Sequence, residues 1–364
     1  MKKSHRILFI SAFPPNRITA GQNYSRQLIE DLTSNNEVDL FFWNYRDHSV
    51  ELDTETIRLT KELHITPIWK NIFLPILFPF FTKRFSLCEL KNINNLASNY
   101  DILYFDFSQV FLYSRFINHP NKIGMCHDII CQKYSRHIKY KLFLPWIRMS
   151  EKFALSGLSK IFTFSTKDQD ILKKCYNVES CIVPFYIDPK IKKIDLNSIA
   201  IKNMYVMYGA WNRLENQESI QWVLDNYPEH LPQLNIIGGG MPDHLCNMIN
   251  THKNIQYIGF IDNPYTIIAQ SKGLIAPLFH GAGVKVKAIE SLSLGTPIVG
   301  NDITFEGIQK FEYDKQCMLF IKTGSDLIDA VCKLNAISNI EKQVYQKAFE
   351  KAYSQQSFKQ QLGL

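Results

Sequence analysis

A glycine-bearing loop followed by two lysines and a glutamate has the residue types and spacing to bind a phosphorylated ligand. The loop spans residues 281–283, and Lys285, Lys287 and Glu290 follow it. A glycine loop at the start of a helix offers unpaired backbone N–H groups and the positive end of the helix dipole, which favour a phosphate. Glu290 shares a helix face with Lys287. The pattern predicts a nucleotide site, with phosphate on the loop and ribose hydroxyls on the carboxylate.

This loop needs a strand before it and a helix after it, and the sequence has both patterns. An apolar run ends at Pro277, and Val284, Ala288 and Leu292 recur at one-turn spacing before Gly295. The spacing predicts a strand–loop–helix unit that ends at Gly295. Such units also occur in α/β proteins that bind no phosphate there, so the motif alone leaves both interpretations open.

Strand-like and helix-like runs alternate along the chain, which indicates parallel sheets covered by helices. The second half has five or six strand-like runs, and its last helix is predicted at about 340–353. In the first half we predict strands at 6–13, 38–42, 101–105, 122–126 and 161–164, and helices at 21–35, 89–97, 110–117, 146–156 and 167–176.

Length and composition indicate a two-domain globular protein. The chain has 364 residues, 46% of them hydrophobic and 21% charged, and is long enough to bury a core without a disulfide or a metal. Its eight cysteines include no Cys-x-x-Cys pair, which argues against a zinc site and favours a reducing compartment. The short apolar run after the basic start ends at Pro14-Pro15, which favours a first strand over a signal peptide.

The glycine loop and its helix resemble the nucleotide-sugar site of retaining glycosyltransferases of the large sucrose-synthase-like family four. The resemblance rests on the loop, on Lys287 three residues before Glu290, and on the ending Gly295-Thr-Pro297. Strand-like runs in the same order and the segment 183–188 extend it over residues 6–335. Members of the family have the GT-B fold. The resemblance therefore implies an α/β protein with two Rossmann-like domains whose parallel sheets face each other across a cleft.

By the same resemblance, residues 1–183 form an N-terminal Rossmann-like domain that binds the acceptor. Residues 184–339 form a C-terminal Rossmann-like domain that binds the nucleotide sugar, after a polar, loosely patterned boundary. Residues 340–364 are expected to form a C-terminal helix that crosses back to the first domain, as it does in GT-B enzymes.

The catalytic residues implied by the resemblance are His127, Lys287 and Glu290. His127 and Asp128 follow a predicted strand, where the family often has a histidine near the donor sugar and the acceptor. The alternative interpretation of this pair is a capping aspartate beside a partly buried histidine.

The implied donor site draws on both domains. Gly21 either lets the backbone approach the donor phosphates or caps the first helix, and Asp106 and Gln109, after another predicted strand, are further candidates for ligand contact. The expected donor-binding residues are Gly21, Arg213, Gly281, Ala282, Gly283, Val284, Lys285, Lys287 and Glu290.

Two departures from the family pattern bear on this site. Many members have a first glutamate eight residues before the second, and Ala282 stands at that position here. Other members have a Gly-Ala-Gly loop, where backbone groups would take over. Many members also hold the diphosphate with an arginine and a lysine, whereas no lysine closely follows Arg213. The missing charge is expected to come from Lys285 or Lys287, and the sequence does not distinguish the two.

The resemblance implies transfer of a sugar from a nucleotide-sugar donor to a glycan or lipid-linked acceptor, with retention of configuration, in bacterial surface polysaccharide or lipopolysaccharide synthesis. No cofactor or metal is expected, because backbone dipoles and lysines stabilise the leaving diphosphate. A non-catalytic GT-B subunit that binds a partner is an alternative, because the first glutamate is missing. A sugar-nucleotide epimerase is another, although such enzymes normally need several carboxylates. A nicotinamide dehydrogenase would need Gly-x-Gly-x-x-Gly after the first strand, which is absent.

The net charge of +7 is unevenly distributed, because residues 67–84 and 131–148 contain basic residues and no acid. Both segments mix these residues with large aromatics, which suits an anionic membrane surface. The alternative is a buried aromatic helix with a solvated basic rim, and no nucleic-acid motif accompanies the charge. We expect a cytoplasmic protein in peripheral contact with the inner face of the cytoplasmic membrane. The residues expected at the acceptor or the membrane are Lys133, Arg136, Lys139, Lys141 and Trp146.

Overall fold

The computed structural model describes residues 4–44, 50–52, 57–63, 76–281 and 283–353. These residues divide into two compact units, and the division falls between Tyr186 and Ile187. Each unit is built on a sheet whose paired strands are all parallel, and helices connect most of the successive strands among the described residues. The predicted α/β class with two Rossmann-like sheets is confirmed.

The first unit has a seven-stranded sheet in its described part. Its strands are β1 (Arg6–Ser11), β2 (Glu37–Trp43), β3 (Ile57–Leu63), β4 (Ile102–Asp106), β5 (Lys122–Met125), β6 (Lys160–Thr163) and β7 (Cys181–Ile182). Its helices are α1 (Ala20–Thr33), α2 (Pro79–Thr82), α3 (Leu87–Ala97), α4 (Phe111–Ser114), α5 (Ile130–Ser135), α6 (Leu144–Leu155) and α7 (Thr166–Tyr176), with 3-10 helices at Ser108–Val110 and Ile138–Phe143. The strand order is β3-β2-β1-β4-β5-β6-β7.

The first apolar run of the chain forms an interior strand of this sheet. β1 lies between β2 and β4, and all its residues after Arg6 are buried, so it is a continuous apolar run rather than an alternating one. The predicted helix at 110–117 is shorter than expected, because α4 ends at Ser114. The carbonyl groups of Ser114 and Ile117 accept hydrogen bonds from Lys122 Nζ at 2.9 and 2.8 Å instead.

The second unit has a six-stranded sheet in its described part. Its helices are α8 (Pro189–Lys192), α9 (Leu214–Asn226), α10 (Asp243–Ile249), α11 (Tyr265–Gln270), α12 (Val286–Ser293), α13 (Asp314–Cys317), α14 (Gly324–Leu334) and α15 (Asn339–Ala352). Its strands are β8 (Met204–Tyr208), β9 (Gln233–Ile237), β10 (Ile255–Gly259), β11 (Gly273–Ile275), β12 (Ile298–Gly300) and β13 (Met318–Phe320), in the order β10-β9-β8-β11-β12-β13.

The last helix is held in the second unit by a buried lysine and a glycine. Lys342 on α15 is 1% exposed, and its Nζ donates to the carbonyl groups of Ala269 and Ser271 at the end of α11. Gly295, directly after α12, has a φ of 61°, and a Cβ there would lie 1.8 Å from the Lys342 carbonyl oxygen. The expected return of the C-terminal segment to the first domain also involves residues 354–364, which lie outside the described residues.

Gly295→Ala should destabilise the second unit by about 2 kcal/mol or more, because the left-handed backbone is unfavourable for alanine and its Cβ would collide with α15. Gly239→Ala is the matched control, since the nearest atom to a Cβ at Gly239 lies 3.8 Å away. Urea unfolding measures both. Equal losses of stability would show that the close approach of α15 to Gly295 is not required.

Candidate functional site

The second sheet reverses its strand order at β8, which lies between β9 and β11. Ligands of open α/β sheets bind beyond the carboxyl ends of the strands at such a point. The chain leaves β8 at Gly209 and leaves β11 towards Pro277 and the glycine loop, residues 281–283. The loop identified from the sequence therefore begins at the ligand-binding edge of this sheet.

The glycine loop has a backbone that favours glycine. The φ angle is 117° at Gly281 and 69° at Gly283, in the left-handed region that other residues rarely adopt. Ala282 lies outside the described residues. Val284 follows, partly buried, and leads the chain into α12.

Lys285 anchors this loop. It is the N-cap residue of α12, and its Nζ donates to the Gly283 carbonyl at 2.6 Å. The same Nζ lies 3.8 Å from the carboxylate of Glu306, and both side chains are largely buried. Lys285 is therefore already engaged with the loop, which distinguishes it from Lys287.

Two further contacts tie the residues before the loop to α9. His280 Nε2 lies 3.2 Å from the Glu218 carboxylate. The Phe279 and Trp222 rings pack with their centroids 6.0 Å apart. The loop is thus braced from α9 on one side and by Lys285 on the other.

Lys287 and Glu290 lie on α12, and each has an uncharged partner. Lys287 Nζ donates to Asn216 Oδ1 at 3.1 Å, and Glu290 Oε1 accepts from the Tyr265 hydroxyl at 2.8 Å. A Cβ at Gly209 would lie 3.3 Å from Lys287 Nζ, so the glycine after β8 leaves room for the ammonium group.

Burial opposes both charges on α12. It lowers the pKa of Lys287 to about 8 and raises the pKa of Glu290 to about 7. The negative charge of Asp188 raises the pKa of Glu290 further, whereas the Tyr265 hydrogen bond and the charge of Lys287 lower it. Both groups therefore titrate close to neutral pH, and a ligand of opposite charge or with hydroxyl donors would favour their charged forms.

Two other sequence features lie near this edge. Arg213 is the N-cap residue of α9, half-exposed, with its guanidinium 4.0 Å from Glu215. A Cβ at Gly238 would lie 1.8 Å from the Gly209 carbonyl oxygen. A glycine at 238 is therefore needed for close packing of the loops that follow β8 and β9.

In the first unit a buried carboxylate holds His127. Asp106 ends β4 and is fully buried, and its Oδ1 lies 2.8 Å from His127 Nε2. The hydroxyl groups of Ser11 and Ser25 donate to Asp106 Oδ2. Because a carboxylate only accepts, Nε2 carries the proton of a neutral His127 ring, which leaves Nδ1 as an acceptor.

Phe107 and Gly21 complete the surroundings of His127. Phe107 stacks on the imidazole with centroids 3.8 Å apart and an interplanar angle of 12°. Its φ of 69° is unusual for a residue other than glycine. A Cβ at Gly21 would lie 2.9 Å from the Phe107 ring and 3.4 Å from His127 Nδ1. Thr19 caps α1, so Gly21 is not the N-cap and instead makes room for these two rings.

The remaining candidates of the first unit are placed separately. Asp128 pairs with Lys133 at 2.9 Å rather than capping a helix. Gln109 lies in the 3-10 helix Ser108–Val110 and is partly buried.

The basic segment 131–148 covers α5, the 3-10 helix Ile138–Phe143 and the start of α6. Lys139 and Lys141 are exposed, and Arg136 is partly buried. Trp146 Nε1 donates to the Ile76 carbonyl at 2.6 Å, and its ring packs edge-on against Phe78. Residues 67–75 of the other basic segment lie outside the described residues. Within the described ranges, no helix has both the length and the apolar character needed to cross a membrane.

Sequence reasoning missed the partners that hold the charged groups. Asn216, Tyr265 and Phe107 carry no motif, and only the resemblance of the segment 183–188 drew attention to Asp188. Each meets its partner through the tertiary fold. Among the described side chains, no group of three or more His, Cys, Asp or Glu residues is arranged to hold a metal ion.

Glu290→Gln should change how stability depends on pH. A raised pKa means that the folded state binds more protons, so the wild type should lose stability as the pH rises from about 4.5 to about 7. Glu290→Gln removes this titration. The free energy of unfolding of the variant, relative to that of the wild type, should therefore rise over that window by on the order of 3 kcal/mol. Urea unfolding from about pH 5 to about pH 8 measures the difference. A difference that is constant with pH would contradict a buried Glu290 carboxylate.

Comparisons with known proteins agree with the two-sheet α/β fold. Residues 203–336 match the family model described as Glycosyl transferases group 1. No curated protein sequence gives a significant match. Similar solved structures include sucrose-phosphate synthase from Thermosynechococcus elongatus, with a TM-score of 0.71 and 15% identity over 99% of this chain and 98% of that one. WaaG, a glycosyltransferase involved in lipopolysaccharide biosynthesis, has a TM-score of 0.63 and 16% identity over 97% and 96% of the two chains.

Anabaena HepE in complex with UDP has a TM-score of 0.67 and 12% identity over 98% of this chain and 99% of that one. At 12–16% identity, TM-scores of 0.63–0.71 show a shared fold alone, and here it extends over nearly the whole chain. The chain therefore has the GT-B fold and contains a glycosyl transferases group 1 domain at residues 203–336.

Proposed function

We propose that this protein is a retaining glycosyltransferase that moves a sugar from a nucleotide-sugar donor to a glycan or lipid-linked acceptor in bacterial surface polysaccharide or lipopolysaccharide synthesis. The observation that carries the proposal is the partly buried Lys287 and Glu290 on α12, after a glycine loop at the switch point of the second sheet. The family match over the same residues supports a transferase. The UDP bound to HepE and the role of WaaG in lipopolysaccharide biosynthesis support the choice of donor and pathway class.

In the proposed complex the diphosphate binds positively charged groups and the ribose binds a carboxylate. The diphosphate lies against the backbone N–H groups of the glycine loop and the N-terminus of α12, and ribose hydroxyls donate to Glu290. Lys285 already binds the Gly283 carbonyl, so Lys287 is the cation that compensates the phosphate charge. Arrival of the diphosphate would favour the charged form of Lys287, whose pKa burial lowers to about 8.

Transfer breaks the bond between the anomeric carbon and the phosphate oxygen of the donor. The acceptor hydroxyl forms the new bond on the same face of the sugar, and its proton passes to the leaving phosphate oxygen. The protein then contributes position and electrostatic stabilisation rather than a nucleophile. Lysine charge and backbone dipoles stabilise the leaving group, so the proposal includes no metal or cofactor.

His127 is proposed to contact the sugar or the acceptor. The first sheet reverses its order at β1, Asp106 is the last residue of β4, and His127 lies just beyond the carboxyl end of β5. Asp106 occupies Nε2, so Nδ1 is the ring atom that can accept a hydrogen bond from a substrate hydroxyl. A Cβ at residue 21 would lie 3.4 Å from Nδ1, so the glycine at this position leaves room for a small group beside that ring atom.

We also propose that the first unit docks on an anionic membrane that carries the acceptor. The 3-10 helix Ile138–Phe143 contains no buried residue, and Ile138 and Leu142 are 83% and 92% exposed. Lys139 and Lys141 alternate with them and are also exposed. Apolar tips beside lysines suit insertion between anionic headgroups. Trp146 adjoins this surface, since its ring lies 6.4 Å from that of Phe143 and its Nε1 donates to the Ile76 carbonyl.

Glu290→Gln should weaken binding of UDP, or of whichever nucleoside diphosphate binds most tightly, by at least about tenfold, because it removes charge-assisted hydrogen bonds worth about 1.5–3 kcal/mol. Glu312→Gln, an exposed acid of the same unit, is the control. Calorimetry measures affinity, and NMR of the product tests retention at the anomeric carbon. Unchanged affinity in Glu290→Gln would remove the ribose assignment. If the wild type binds the donor normally but shows no turnover, the alternative of a non-catalytic GT-B subunit would be favoured.

The membrane proposal predicts that vesicles with anionic lipid sediment the protein at low salt and release it at high salt, as the Debye length falls from about 10 Å at 0.1 M to about 3 Å at 1 M. Changing Lys133, Arg136, Lys139 and Lys141 together to Ser should abolish sedimentation. The charge-matched control changes Lys310, Lys315, Lys322 and Lys333 together to Ser, all exposed in the second unit. Equal recovery with neutral and anionic vesicles, or equal effects of the two variants, would contradict the proposal.

A further inference from the structure

We infer that Tyr265 and Asp188 are positioning residues that give the Glu290 site its selectivity for a ribose diol over a deoxyribose. This inference rests on the proposed nucleotide-sugar function and concerns how the carboxylate is aimed. The three residues come from different elements: Asp188 precedes α8, Tyr265 begins α11, and Glu290 lies on α12.

Tyr265 is the residue that holds the carboxylate. It is 5% exposed, and its hydroxyl donates to Glu290 Oε1 at 2.8 Å while lying 3.3 Å from Asp188 Oδ2. Asp188 is fixed in turn, because its Oδ1 accepts from the backbone N–H of Lys190 at 2.8 Å as the cap of α8. The capping bond therefore sets the place of the second carboxylate, and Tyr265 lies between the two.

One phenol proton serves two carboxylates, and the shorter distance assigns it to Glu290. An ionised carboxylate offers about four lone-pair sites on its two oxygens. Tyr265 occupies one of them on Oε1, which leaves the others for hydroxyl donors. Two adjacent ribose hydroxyls match that remaining capacity, and a sugar without them leaves a buried carboxylate with too few donors.

The surroundings of Glu290 favour hydroxyl donors over anions. Asp188 adds a second negative group, and the charge of Glu290, with burial and the charge of Asp188, raises the pKa of Tyr208 at the end of β8. Without Tyr265, Glu290 could turn towards Lys287 on the same helix face. The Tyr265 bond thus keeps the carboxylate for ribose and Lys287 for phosphate.

The test compares a ribonucleoside diphosphate with its 2′,3′-dideoxy counterpart by calorimetry, using the tightest binder among UDP, GDP and ADP. Wild type should prefer the ribonucleotide by about tenfold or more, as expected for a lost pair of hydrogen bonds to a charged group. Tyr265→Phe should reduce that preference to about threefold or less, mainly by lowering the affinity for the ribonucleotide. Tyr205→Phe is the matched control, because the Tyr205 hydroxyl is also buried and donates to the Val331 carbonyl away from Glu290.

A ratio that stays unchanged in Tyr265→Phe, while the wild type binds and discriminates, would overturn this inference and leave the proposed function standing. Absence of binding by all three diphosphates to the wild type would overturn both. An equal fall of the ratio in Tyr205→Phe would assign the effect to general loss of packing and overturn the positioning role. Asp188→Asn, which keeps the cap acceptor, should preserve folding and shift the ratio, and an unchanged ratio would remove Asp188 from the set.

Discussion

The Glu290 carboxylate lies where burial disfavours its charge, and a hydrogen bond from Tyr265 holds it in place. The rest of the second unit can be understood from this constraint. Lys287, one turn earlier on α12, is partly buried and donates a hydrogen bond to Asn216 rather than to the carboxylate. Two opposite charges on one helix are therefore each available to a ligand, because uncharged partners hold them.

The elements around α12 maintain that arrangement. Lys285 fixes the glycine loop through the Gly283 carbonyl, and Gly295 lets α15 approach the other end of the helix. Lys342 then binds the last carbonyl groups of α11, the helix that begins with Tyr265. The position of the Tyr265 hydroxyl relative to Glu290 thus depends on how the ends of α11 and α12 are packed.

The first unit also holds a carboxylate away from solvent, with a different set of hydrogen-bond partners. Asp106 is fully buried, and two serine hydroxyls and the His127 ring satisfy its oxygens. Phe107 adopts a left-handed backbone and stacks on that ring. Strain of this kind persists where the surrounding structure fixes it, and it is common at functional sites.

Much of the fold was accessible from the sequence because buried parallel strands are apolar runs and their helices repeat every turn. The glycine loop and the shared helix face of Lys287 and Glu290 were predicted for the same reason: they are local. β3 was missed, since its charged residues at the edge of the sheet hide a strand pattern.

The partners of the charged groups could not be predicted from spacing. Tyr265 is 77 residues from Asp188 and 25 from Glu290, so only the fold brings them together. Likewise, no local pattern shows that Lys285 turns back to the Gly283 carbonyl while Lys287 does not.

A crystal structure of the protein soaked with UDP tests the central claim most directly. We expect the diphosphate within about 3 Å of backbone N–H groups of the glycine loop and of Lys287 Nζ, with ribose hydroxyls bound to Glu290 and the Tyr265 hydrogen bond retained. A diphosphate bound away from the loop, or a ribose that leaves Glu290 bonded only to Tyr265, would contradict it.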